Sequence, residues 1–99
     1  VYIEELQLRV DFSQRIAMRD ERPLKLTPSG WKILEKLARN YPEAVCKSEL
    51  EFAIWGEDLP GSDALKVHIH NLRKALDKPF AFPILQVVSG YGLKLARSI

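Results

Sequence analysis

What this sequence has little of narrows it first. It holds one cysteine, Cys46, among 99 residues. An internal disulfide is therefore excluded, and the composition fits a reducing, cytoplasmic compartment. No apolar run approaches the roughly 20 residues that a bilayer-spanning helix needs, so no membrane partner is expected. The opening VYIEELQLRVDF alternates and carries acid, so it is not a signal peptide. The chain starts on Val1 rather than Met, which leads us to expect a longer parent chain. Acid is scarce in the last third. From Ala64 to Ile99 the one carboxylate is Asp77, against Lys66, Arg73, Lys74, Lys78, Lys94 and Arg97. The net charge of +2 hides this, because residues 1–63 hold twelve acids and nine bases. Positive charge gathered in one part of a chain is the expected footprint of a polyanionic partner, with chance clustering as the plain alternative.

What is present reads as one domain over residues 1–99, long enough for a modest core. Residues 1–26 read as short strands. YIEELQLRVDF alternates weakly, RIAM returns, Asp20-Glu21-Arg22-Pro23 turns, and Leu24 to Leu26 form one more strand. With no helix between them, these strands should pair antiparallel.

Residues 27–77 read as three helices. Thr27 caps the first and Pro28 fits its first position, where a missing N–H costs nothing. Trp31, Leu34, Leu37, Ala38 and Tyr41 carry its helical spacing, and Pro42 ends it. In CKSELEFAIWG, Leu50, Ala53 and Ile54 point inward and Gly56 stops the helix. Cys46 stands at its cap position, where a thiol bonds weakly. Glu57 to Gly61 is an acidic loop with a Pro60-Gly61 turn.

The stretch Ser62 to Asp77, SDALKVHIHNLRKALD, is the most informative. At 100° per residue Leu65, Ile69, Leu72 and Leu76 share one stripe, which suits a core. Val67, His70, Asn71 and Lys74 fall on the far side, flanked by His68 and Arg73. An ordinary surface helix carries long mixed charges there. This mixture suits base edges and phosphates, the alternative being a solvated outer face. Ser62 is a good N-cap.

After the apolar connector KPFAFP, residues 84–96 read as two strands around Ser89-Gly90-Tyr91-Gly92, a hairpin. Those glycines are spaced wrongly for a nucleotide-binding loop. The pair His68 and His70 is the one tempting metal site. On a helix residues two apart point about 200° apart and share no ion, so no metal and no cofactor are expected. The order of elements gives an α+β fold. It is the plan of a winged helix-turn-helix: an N-terminal antiparallel sheet, three helices and a C-terminal β-hairpin wing.

LTPSGWKILEKLARN, CKSELEFAIWG, DALKVHIHNLRKALD and QVVSGYGLKL together resemble the C-terminal DNA-binding domain of OmpR/PhoB-type response regulators. The resemblance covers nearly the whole chain. It implies a cytoplasmic, non-enzymatic effector of a two-component phosphorelay system that binds double-stranded DNA. It also implies a receiver domain ahead of Val1, pairing of domains on DNA, and contact of the Glu57–Gly61 loop with RNA polymerase. The chain departs from the family pattern at four places. Gly30 stands where Glu is usual, Cys46 where Ser is frequent, and His70 or Asn71 where many members have Arg. The wing reads Ser89-Gly90-Tyr91-Gly92-Leu93 instead of Arg-Gly-x-Gly-Tyr.

The function expected is sequence-specific DNA binding in transcription regulation. Val67 is assigned to a thymine methyl, Asn71 to an adenine edge, and His70 and Lys74 to guanine acceptors or phosphates. Trp55, His68, Arg73 and Lys94 are candidates for the DNA backbone, and Ser89, Gly90 and Tyr91 for the wing contact. Arg73 has a structural alternative, pairing with an acid of the N-terminal part. The competing function is a winged-helix module that binds protein and not DNA.

Overall fold

The computed structural model describes residues 1–58 and 64–97. The chain opens with a four-stranded antiparallel sheet in the order β1-β2-β3-β4: β1 Tyr2–Ile3, β2 Leu8–Asp11, β3 Ile16–Arg19 and β4 Arg22–Pro23. Two details differ from expectation. Glu4–Leu6 is a 3-10 turn that interrupts the alternation and buries Leu6. The last strand is Arg22–Pro23, and Leu24–Leu26 is irregular. Arg19 pairs with Arg22, which leaves Asp20 and Glu21 as a two-residue loop, both at positive φ. That is the backbone of the tight hairpin turn whose twist matches its strands. Asp11 braces the preceding turn, accepting from the Ser13 and Gln14 amides at 3.0 Å each.

Helix α1, Pro28–Asn40, is the centre of the molecule. Thr27 Oγ1 accepts from the Gly30 amide at 3.0 Å, so the expected cap is made. Trp31, Ile33, Leu34, Leu37 and Ala38 are buried, and Tyr41 is half-buried just past the helix. At Gly30 a Cβ would press on Thr27 Oγ1 at 3.1 Å and face Leu72 at 3.9 Å, so the helix surface is smooth where the third helix crosses.

A two-residue strand follows, β5 Val45–Cys46, which the sequence reading did not contain. It leads directly into α2, Lys47–Trp55. Cys46 sits at the cap without making a cap bond, its Sγ lying 3.3 Å from Ser48 Oγ. Leu50 is buried, while Ala53 and Ile54, expected inward, are half-buried, and Phe52 is exposed. Helix α3 spans Ala64–Leu76. The expected cap Ser62 and most of the Glu57–Gly61 loop lie outside the described residues.

The chain closes with β6 Leu85–Val88 and β7 Gly92–Leu95. They form a second sheet in the order β5-β7-β6. Strand β5 therefore lies on the outer edge of β7, and this requires Gly92. A Cβ there would stand 2.0 Å from the Val45 carbonyl oxygen. The core is continuous, from Leu8 and Val10 of the first sheet and Leu6 of the 3-10 turn through α1 to Leu93 and Leu95. The architecture is the expected α+β winged helix.

Candidate nucleic-acid interface

Helix α3 carries the predicted phase. Leu65, Leu72 and Leu76 are buried, and Ile69 is half-buried against the core. Val67 is 57% exposed, and His70, Asn71 and Lys74 are exposed as well. The four residues assigned to base edges thus share one open face, on a helix with no acid among its 13 residues. The helical course through His68 and His70 removes the metal reading of that pair.

His68 does not stand free. Its ring lies 5.6 Å from that of Trp55, at the end of α2, and both are half-buried. The two expected backbone contacts are therefore brought together at one rim of the α3 face. Arg73 behaves differently. Its Nη1 donates to the Leu85 carbonyl at 2.8 Å and lies 3.6 Å from Asp77 Oδ2. Arg73 does have an acidic partner, but that acid is Asp77 beside its own helix and not one of the N-terminal part. Lys94 is half-buried on β7 opposite Gln86. Alternation places it on the other face of the hairpin from Leu93 and Val87, so it does not join the α3 cations.

The hairpin tip is Ser89, Gly90 and Tyr91, all exposed, with Gly90 at φ 73°. Tyr91 is 50% and Val87 66% exposed. Between this hairpin and α3 runs a cleft of about 660 Å³. Leu65, Ile69, Val87 and Leu93 give it an apolar floor, and Lys47 and His70 stand at its rim. Sequence reasoning did not foresee Val87 or Lys47 in this place. Val87 looks like any buried strand residue, and only the extension of the hairpin beyond the core exposes it.

Two further residues went unnoticed, Arg19 and Asp77. Arg19 has no exposed surface and Asp77 is 6% exposed. Burial pushes the Arg19 guanidinium below its ordinary pKa, and the nearby Asp77 charge opposes that shift. The signal for Asp77 was on view, since it is the lone acid of a basic segment. Arg19 sits at an inward position of β3, a placement that a charge count cannot reveal.

A family model for "Transcriptional regulatory protein, C terminal" matches residues 21–95. The chain belongs to this family. Transcriptional regulatory protein QseB of Haemophilus influenzae is 33% identical over 97 residues, covering 96% of this chain and 42% of QseB. The C-terminal-domain chain thus spans less than half of that relative. The crystal structure of the DNA-binding domain of CpxR from E. coli aligns with a TM-score of 0.74 at 27% identity, covering 91% of this chain and 90% of that one. The Klebsiella pneumoniae RstA DNA-binding domain in complex with the RstA box shares the fold, with a TM-score of 0.75 at 24% identity and 91% of each chain covered. The family is one of transcription regulators, not of enzymes. Among the described residues no helix is long and apolar enough to cross a membrane.

Proposed function

We propose that this domain binds double-stranded DNA sequence-specifically, with α3 in the major groove and the β6–β7 hairpin beside it. The observation that carries this reading is the outer face of α3. Val67, His70, Asn71 and Lys74 lie open on a helix without a single carboxylate. Such a face repels no phosphate and offers an apolar contact, an amide, an imidazole and a lysine to base edges. Trp55 and His68 supply backbone contacts at one rim. Lys94 is a further candidate for the backbone, and Ser89, Gly90 and Tyr91 serve the wing. Arg73, held toward β6, contributes less to phosphates than its position on the helix suggests. The domain performs no chemistry and works in the cytoplasm as the effector of a two-component response regulator. On this reading a receiver domain precedes Val1, domains pair on DNA, and the Glu57–Gly61 loop meets RNA polymerase.

Selection of bound sequences from a random duplex pool, followed by anisotropy titrations against salt, tests the reading. A recovered motif and a steep negative log–log slope are expected from counterion release. Weak binding with no motif would mark the protein-binding alternative as correct.

A further inference from the structure

Among the described residues, strand β6 is an edge strand, paired with β7 alone. At its root the open edge is closed by side chains from α3 and the residue that follows it. Asp77 Oδ1 accepts from the Ile84 amide at 2.9 Å, and Oδ2 from the Leu85 amide at 3.2 Å. Arg73, one turn earlier, donates to the Leu85 carbonyl at 2.8 Å. Both backbone groups of Leu85 are thus held by Arg73 of α3 and by Asp77 just after it, as a fourth strand would hold them.

Behind this clamp stands Arg19 of β3. Its Nη1 donates to the Leu76 carbonyl at 2.7 Å and lies 3.4 Å from Asp77 Oδ1, and its Nη2 donates to the Phe82 carbonyl. The Phe80 and Phe82 rings lie against its guanidinium at 4.7 and 4.8 Å. The clamp is therefore braced against the N-terminal sheet.

We infer that Asp77 and Arg73 are positioning residues that set the angle between α3 and the hairpin, with Arg19 as their brace. The consequence for binding rests on the DNA reading proposed above. The hairpin is a lever. About four residues separate its root from its tip, or roughly 13 Å at 3.3 Å per residue. A rotation of about 10° at the root moves the tip by roughly 2 Å, enough to break a hydrogen bond made there. The apolar contacts of Leu72, Leu76, Leu85 and Leu95 do not depend on the clamp, so the fold outlasts its loss.

Asp77→Asn keeps the side-chain volume and removes one of the two acceptor oxygens. The variant is expected to melt cooperatively, exchange its Ile84 and Leu85 amides faster, and bind the selected DNA roughly ten-fold more weakly. In a hydroxyl-radical footprint, protection should shrink on the flank beside the core site and persist at the centre. The deciding measurement is a double-mutant cycle with Tyr91→Ala at the tip. Positioning predicts that Asp77→Asn costs little once the tip contact is gone, whereas a merely structural loss adds in full. Additive losses, or an unchanged flank, overturn the inference. If Asp77→Asn does not fold, Arg73→Met at its half-exposed position enters the same cycle. If the native domain binds no duplex, the DNA reading fails but the clamp is still measurable. Residual dipolar couplings would then compare the hairpin orientation relative to α3 in native and variant proteins, and an unchanged orientation rejects the clamp.

Discussion

Helices α1 and α3 are each 13 residues long and pack against one another. Helix α1 buries Gly30, Trp31, Ile33, Leu34, Leu37 and Ala38, and its exposed Arg39 is paired with Glu35 at 2.9 Å. Helix α3 buries only Leu65, Leu72 and Leu76 and bears no acid. One helix buries most of its surface in the protein, and the other leaves Lys66, Val67, His70, Asn71 and Lys74 exposed. The width of the apolar stripe decides this. A helix with neighbours all round is tied to the fold by most of its residues, and one with a narrow stripe leaves half its surface for a partner. Substitutions in α1 should therefore be read in stability, and those on the far side of α3 in binding.

The largest expected effect is on α1. Leu34→Ala should destabilise by roughly 3–5 kcal/mol in urea melts, since the site is enclosed and cannot collapse. A shift below about 1 kcal/mol would remove α1 from the centre of the core. On the open face of α3, Asn71→Ala should leave the melt unchanged. It should cost about 1–3 kcal/mol of specific affinity and relax the preference at one base pair. A uniform loss over all single-base operator variants would show that Asn71 reads no base. Ile69 stands between the two regimes. Being half-buried, it should lose about 1–2 kcal/mol of stability as Ala, less than an enclosed site. A loss as large as that at Leu34 would erase the contrast between the helices.

Ser89→Arg tests how far the partner-facing side extends. A guanidinium at the tip should strengthen binding, more on A/T-rich flanks, and change the salt slope by roughly −0.9. No change on either flank would confine binding to α3. The smallest effect is at the end of α1, where the Tyr41 hydroxyl donates to Glu5 Oε2 at 2.8 Å. That bond raises the Tyr41 pKa above its ordinary value. Its stabilisation is therefore complete below the ordinary tyrosine pKa and fades as pH rises through the raised one. Tyr41→Phe should flatten that alkaline decline, which melts across the alkaline range would record.

Much of this contrast was legible in the residues. The α3 phase, the Thr27 cap and the hairpin follow from period and turn chemistry, which act over a few neighbours. What was hidden depends on distant partners. Strand β5 is two residues long, too short to alternate, and exists because β7 arrives beside it. Leu24–Leu26 has strand-like residues, but its pairing with β3 stops at the Leu24 amide, which donates to the Ala17 carbonyl. Arg73 has a structural alternative in the sequence, pairing with an acid of the N-terminal part, but the groups that take it are a carbonyl 12 positions away and Asp77. The open face of α3 could be read in part because openness follows from the stripe.

Gly92 has a consequence for how such a domain can change over generations. With its α-carbon wedged beside the Val45 carbonyl, the position accepts no side chain. The register of β5 and β6 on β7 is therefore pinned at Val88 and Gly92, however the tip varies. Residues added or exchanged between those two points lengthen or re-chemise the tip without sliding a strand. A lineage can thus explore new wing tips one mutation at a time, while the glycine at the tip's foot stays put.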